Sequence, residues 1–331
     1  LSPLALSSGD LLADRRYDYA RLYAGEGDHA AAADLFAQTL ERVPGWLPAL
    51  IGLADARAAV GDGPGAAEAL KAALSADPDD LFGAALRLAA LGRAPVPETP
   101  PEAYVRGLFD DYADRFETAL VETLKYRVPW RLGSLLADRR PAGVTAPAFG
   151  RVLDLGCGTG LMGEVLRARC VHLEGVDLSP EMLERAAGKQ VYDALAVGDV
   201  AAHLEASETP LDLVTAADVF VYVGTLETVF AAVAARLAPD GLFAFSVEAA
   251  DAGDVVLRDS LRYAHGEGYL RRLADEAGFV VLDLRRETLR EDRSAPVEGF
   301  LVVLGRPAAR DGRVPAAGDI PVEGAGDLRA E

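Results

Sequence analysis

The sequence predicts an all-α domain of helical repeats followed by an α/β domain built on a doubly wound, mostly parallel sheet. Three observations predict it. The run Arg151 to Gly160 is an apolar strand that ends in an acidic residue and then breaks into alternating glycines. The helix after it carries Leu161, Met162, Val165 and Leu166 on one face. Beyond that loop, short apolar runs alternate with amphipathic ones as far as Leu304, the pattern of strands joined by helices. Ahead of it, residues 34 positions apart match repeatedly, the mark of an internal repeat.

The repeat register pairs Ala20 with Ala54, Ala24 with Ala58, Gly27 with Gly61 and Asp28 with Asp62. Ala32 and Ala66, Ala33 and Ala67, Leu40 and Leu74, and Pro44 and Pro78 continue it, while Phe36 and Leu70 are both bulky and apolar. Small residues let two helices pack closely, Gly-Asp makes the turn between them, and Pro closes the unit. A generic alanine-rich bundle has no reason to keep this register. The segment resembles two tetratricopeptide repeats. A third apolar helix, Leu81 to Leu91, is expected to cover the end of the stack. Four prolines between Pro95 and Pro101 then predict an extended, stiff linker with few obligatory contacts. The expected division is a repeat domain over 1–92, a linker over 93–102, the α/β domain over 103–305 and a loose tail over 306–331.

The α/β domain opens on a helical stretch. Tyr104, Leu108, Tyr112, Phe116, Leu120 and Leu124 recur every fourth residue, with Asp110, Asp111, Asp114 and Glu117 between them. An aromatic stripe at this spacing serves either as packing against the sheet or as a cover over a ligand site. The glycine loop follows. Gly158 to Gly163 matches G-x-G-x-x-G, which on its own points weakly to a dinucleotide. Leu173 to Asp177 is a second strand ending in a carboxylate, the position from which an acidic side chain accepts ribose hydroxyls. Ser179 is placed to N-cap the next helix, with Pro180 in its first turn. A third strand, Ala194 to Val197, ends at Asp199-Val200, and a fourth runs from Leu211 to Phe220.

Taken in this order, Asp154-x-Gly156-x-Gly158-x-Gly160, Val176-Asp177-x-Ser179-x-x-Met182-Leu183, Gly198-Asp199-Val200 and the fourth strand closely resemble the class I S-adenosylmethionine (SAM) methyltransferases. A dehydrogenase does not demand the third and fourth motifs. The resemblance covers roughly residues 103–305 and implies a Rossmann-like, seven-stranded sheet of order 3-2-1-4-5-7-6. The remaining elements fit that reading: a helix from Val229 to Leu237, a turn at Pro239-Asp240-Gly241 and a fifth strand from Leu242 to Val247. A helix over 267–277 and two last strands, Phe279 to Leu284 and Gly299 to Leu304, complete it as an antiparallel hairpin.

The resemblance also implies a site. SAM, leaving as S-adenosylhomocysteine (SAH), would lie on Asp154, Gly156, Cys157, Gly158 and Gly160. Asp177 and Leu178 would meet its ribose, Asp199 and Val200 its adenine, and Ala217 and Asp218 its methionine part. Tyr104, Tyr112 and Phe116 would form the lid, with Tyr222 beside the acceptor. Arg262-Tyr263-Ala264-His265, before a helix, resembles a subgroup of methyltransferases that carry tetratricopeptide repeats. Tyr263 and His265 are the candidate catalytic pair, because their side chains donate and accept protons; for a lone histidine, capping or packing is the competing role. Methyl transfer is an in-line displacement that needs proximity and alignment more than acid–base help. No metal site is expected, since His29, His172, His203 and His265 show no ligand spacing.

Composition bounds the partners. The formal charge is −19, from 33 basic and 52 acidic residues, which argues against binding nucleic acid through phosphates. Two cysteines, Cys157 and Cys170, form no disulfide framework. No apolar run reaches membrane-spanning length and no signal peptide is visible, so no membrane association and a cytoplasmic location are expected. The acceptor stays open between a small molecule and a protein or carrier-bound group. The repeats could bind a protein or peptide, or mediate self-association. Two other functions stay open: a NAD(P)-dependent oxidoreductase and a non-catalytic repeat adaptor with a SAM-binding fold.

Overall fold

The computed structural model describes residues 7–113, 117, 124–137, 139, 148–292 and 295–308. The chain begins with two helix pairs: α1 (Leu11–Gly25) packs on α2 (His29–Arg42), and α3 (Leu47–Ala59) on α4 (Gly63–Ala76). The residues matched across 34 positions do the same work in each pair. Gly27 and Gly61 both turn the chain at φ +84°, a left-handed conformation natural to glycine. Asp28 and Asp62 then cap α2 and α4, their carboxylates accepting the N–H of Ala31 at 3.1 Å and of Gly65 at 2.9 Å. Ala20, Ala32, Ala54 and Ala66 are buried where the helices meet. The end helix α5 is shorter than expected, Ala84–Ala90. Gly83 is left-handed at φ +67°, and Asp80 caps the new start by accepting the N–H of Ala84 and Ala85.

The proline-rich segment departs from the expectation of few obligatory contacts. The Pro97 carbonyl accepts the Tyr263 hydroxyl at 2.8 Å, and the Glu98 carbonyl accepts the N–H of Gly224 at 2.9 Å and of Thr225 at 3.0 Å. A chain that is extended because of its prolines has its carbonyls unused and available to a neighbour. The segment is a strap fixed across the second domain, and it leads into α6 (Glu102–Tyr112).

The sheet comprises β1 (Phe149–Leu155), β2 (Cys170–Asp177), β3 (Ala194–Val197), β4 (Leu211–Ala216), β5 (Leu237–Ala250), β6 (Val255–Leu257), β7 (Tyr263–Gly266), β8 (Val280–Asp292) and β9 (Ala295–Gly305). Its main path is β3-β2-β1-β4-β5-β9-β8, parallel through β5 and antiparallel beyond it. Counted over those seven strands this is the expected order 3-2-1-4-5-7-6.

Two features differ from the sequence reading. The predicted turn at Pro239 to Gly241 lies inside β5 as an irregularity, because Leu211 pairs with Leu237 while Leu213 pairs with Leu242. In addition, β5 outruns β4. Its residues Glu248 to Ala250 pair in parallel with β7, which pairs in turn with β6. The segment Tyr263–Gly266, which the sequence reading placed before a helix without assigning it a strand, is therefore a strand.

Alternation along the strands builds a core on each face. Leu153, Val214 and Phe243 meet α10 (Val200–Glu205), α11 (Glu227–Arg236) and α12 (Glu267–Glu276). Val152, Leu213 and Ala244 meet α7 (Val128–Ala137) and α8 (Leu161–Leu166). The ninth helix, α9 (Pro180–Lys189), starts at Ser179, whose hydroxyl oxygen accepts the N–H of Met182 at 3.1 Å. Among the described residues, no helix is long and apolar enough to cross a membrane.

Candidate functional site

At the end of β1 the chain turns three times through left-handed glycines: Gly156 at φ +57°, Gly158 at +53° and Gly160 at +91°. A Cβ on Gly156 would stand 2.6 Å from Val219. Gly160 begins α8. Two carboxylates hold this loop. Asp154 is buried, and its oxygens accept the hydroxyls of Thr215 and Tyr192, each at 2.7 Å. Burial pushes its carboxyl up to about 6, against the opposing pull of those hydroxyls. The Tyr192 ring packs across Gly160, Gly163 and Gly175, where a Cβ would collide with it. Asp177 accepts the N–H of Gly158 at 2.8 Å and of Ser179 at 2.9 Å. Burial raises its carboxyl too, with these N–H groups opposing. Asp177 thereby ties the glycine loop to the start of α9, and the Ser179 hydroxyl donates to Asp110 of α6 at 2.5 Å. Asp199 caps α10 through one oxygen, accepting from Ala201 and Ala202.

These groups border a cavity of about 750 Å³, a size suited to a nucleotide-like ligand plus a small second molecule. Of the residues singled out from sequence, Asp154, Gly156, Cys157, Gly158, Asp177 and Leu178 line it on the β1–β2 side. Asp199 and Val200 line it beyond β3, and Ala217, Asp218 and Tyr222 beyond β4. Gly160 lies outside the lining, where it shapes the loop rather than facing the space. Burial raises the Cys157 thiol well above its usual range, and its Sγ packs against Gly175.

The predicted lid is rotated. Val105, Leu108 and Phe109 of α6 line the cavity, whereas Tyr104 packs on Gly83 at the start of α5. A stripe drawn in steps of four drifts by about 40° per step around a helix of 3.6 residues per turn, so Tyr104 and Leu108 do not share a face for long. The side chain of Tyr112 and all of Phe116 lie outside the described residues. The Phe109 ring meets the Tyr222 ring edge-on at 5.1 Å, closing the cavity from roof to floor.

Tyr263 and His265 are not brought to the cavity. Both are fully buried in β7 and absent from the lining. His265 stacks on Tyr269 and donates through Nε2 to the carbonyls of Val223 and Gly224, at 3.1 and 2.9 Å. Burial lowers its pKa to about 4, which keeps the ring neutral. Tyr263 is the residue that holds the Pro97 strap. Both side chains are occupied as braces for the backbone around the site. Their burial follows from the pairing of β7 with the overhang of β5, which no local pattern announces.

Sequence reasoning missed Val105, Phe109, Tyr126, Arg262 and Arg290, all of which line the cavity. The first two follow the i, i+3, i+4 spacing and could have been found. Arg290 could not. It is buried in β8, with Nη1 donating to both oxygens of Asp218 at 2.7 and 2.8 Å and Nη2 bonded to Glu248. Asp218 itself is left-handed at φ +63°, and its N–H donates to Ser246 at 2.9 Å. Among the described residues, no three His, Cys, Asp or Glu side chains cluster as a metal site requires.

A methyltransferase-domain family matches residues 126–284, and a tetratricopeptide-repeat family matches residues 23–90. A malonyl-[acyl-carrier protein] O-methyltransferase of Dechloromonas aromatica is 30% identical over 211 residues, covering 57% of this chain and 70% of that protein. A ubiquinone biosynthesis O-methyltransferase of Idiomarina loihiensis is 34% identical over 106 residues, covering 30% of this chain and 42% of that protein. The chain thus spans less than half the length of some of the curated relatives it matches. Among solved structures, a magnesium protoporphyrin IX methyltransferase of Synechocystis is 18% identical with a TM-score of 0.46, covering 62% of this chain and 96% of that one.

Proposed function

We propose that this chain, which belongs to the SAM-dependent methyltransferases, binds SAM along the ends of β1, β2 and β3 and passes its methyl group to an acceptor held toward β4 and β7. The observation that carries this reading is the glycine loop bordering a cavity with Asp177 in its wall. Bound there, SAM supplies a methyl on a sulfonium whose leaving group is a neutral thioether.

The chain's own residues do the rest. Three left-handed glycines keep the loop free of side chains where a ligand must approach closely. Asp177 accepts the ribose hydroxyls with the lone pairs its backbone contacts leave over. Asp199 and the adjoining backbone of Val200 take the adenine edge. The α6 roof and the Phe109–Tyr222 contact keep water away and hold the acceptor in line, which is most of what this displacement requires. Because His265 and Tyr263 are engaged elsewhere, an acceptor that arrives protonated must give up its proton to another group. Tyr126 also lines the cavity, but burial first, and then the nearby Asp218, raise its hydroxyl well above the usual range, so it stays protonated and orients an acceptor rather than taking its proton.

The repeats add a second surface. A recess of about 440 Å³ bordered by Tyr17, Phe36, Ile51 and Arg87 supports presentation of a protein or carrier-bound acceptor. Titration calorimetry with SAH and with NAD tests the core of the reading. One SAH site per chain and no NAD binding is the expected result. NAD binding in place of SAH would move the chain to the oxidoreductases.

A further inference from the structure

The charges beyond β4 are unequally paired. Asp218 and Glu248 are anions in or beside the cavity wall. Arg290 pairs with both, and Arg258 Nε lies 3.2 Å from Glu248, so these four charges cancel. Arg262 stands next to them as a fifth, and it lines the cavity. Among the described residues its polar contacts are loose. Nε donates to the Tyr222 hydroxyl at 3.3 Å, and Nη1 lies 3.7 Å from Asp292, whose side chain is 43% exposed to water. A guanidinium has five N–H donors in a planar fork. Most of the Arg262 fork is thus uncommitted at the edge of a space whose roof is Leu108 and Phe109.

We propose that Arg262 recognises a carboxylate on the methyl acceptor, so that the substrate class is an organic acid with an apolar body packed under α6. This rests on the methyltransferase reading of the cavity. A fork facing a carboxylate makes two parallel charge-assisted hydrogen bonds, and the apolar roof favours the hydrocarbon part of the same molecule. A second carboxylate could in principle reach this end, the one on the amino-acid part of the cofactor. The polar neighbours of Arg262 are Tyr222, beyond β4, and Asp292, at the end of β8, and the glycine loop contributes neither of them. That placement assigns Arg262 to the acceptor.

The test uses the full chain saturated with SAH and two matched probe pairs, benzoate with benzamide and hexanoate with hexanamide, by calorimetry. In each pair the acid should bind at least about tenfold more tightly than the amide, the discrimination expected of a charge-assisted contact. Arg262→Gln should bring the acid to the level of the amide, Arg262→Lys should keep part of the preference, and SAH affinity should hold in both variants. Equal binding of acid and amide, or a preference that survives Arg262→Gln, overturns the proposal. So does a variant that loses SAH affinity tenfold while still binding 5′-methylthioadenosine, which lacks the amino-acid carboxylate, because Arg262 would then serve the cofactor. If the wild-type chain fails to bind SAH at all, the methyltransferase reading falls and the proposal with it. Intact SAH binding without acid preference overturns the proposal alone.

Discussion

Asp154 and Asp177 sit on the adjacent strands β1 and β2 and do different work. Both line the cavity, but Asp154 receives two side-chain hydroxyls, whereas Asp177 receives two backbone N–H groups. Asp177→Ala should therefore weaken SAH binding by about 1.5–3 kcal/mol, the worth of a hydrogen bond to a charged group, in a variant whose circular dichroism is unchanged. Unchanged affinity would remove Asp177 from the ribose.

Asp154 and His265 make opposed contributions to stability with pH. Folding raises the Asp154 pKa from 3.8 to about 6, so the native state holds the proton more tightly. Its stabilisation is complete below about pH 4 and is lost, by about 3 kcal/mol, as pH rises through 6. Folding lowers the His265 pKa from 6.5 to about 4, so the unfolded state binds the proton first. That stabilisation is present above pH 6.5 and is lost, by a similar amount of about 3 kcal/mol, as pH falls through 4. Urea midpoints of single variants between pH 4 and 8 separate the two. Asp154→Asn should remove the fall with rising pH, and His265→Gln should remove the rise. The reading to check is the slope of each profile, because either substitution also changes the level.

At the scale of elements, the strap over 93–102 ties the cover of the site to its floor. Removing it leaves the N–H groups of Gly224 and Thr225 and the Tyr263 hydroxyl without their partners. A fragment of residues 93–305 should accordingly resist urea by roughly 1–3 kcal/mol more than one of residues 103–305. Equal midpoints would mean that water replaces the strap at no loss. The sequence contained the cause of the strap's shape, its four prolines, but not the surface that receives it. Likewise α6 was legible as an amphipathic helix, while the identity of its inner face needed the contact of Phe109 with Tyr222.

Over the whole molecule, the repeat stack and the α/β domain meet where Tyr104 and Gly107 of α6 lie against Gly83 and Leu81. A ligand bound beneath α6 therefore acts on the element that joins the two halves. SAH at one hundred times its dissociation constant should stabilise the chain by about 2.7 kcal/mol. Hydrogen exchange should slow at α6 and the strap as well as at the glycine loop. Protection confined to the loop would show that the roof does not respond to the ligand.

The sequence by itself determined the repeat register, the succession of strands and helices, the glycine loop and the carboxylates at the ends of β1 and β2. Each depends on residues close in the chain: Gly-Asp turns at Gly27 and Gly61, alternation of side chains along a strand, and glycine where φ must be positive. Only the tertiary structure decided that Tyr263 and His265 are braces, that Pro97 and Glu98 hold a strap, and that Arg290 and Arg262 stand in the cavity. Those facts depend on pairings between residues as distant as Pro97 and Tyr263, or Asp218 and Arg290. A buried charge or a histidine takes its role from the partner that burial brings to it, and that partner is chosen by packing across the sheet, not by the residues beside it in the chain.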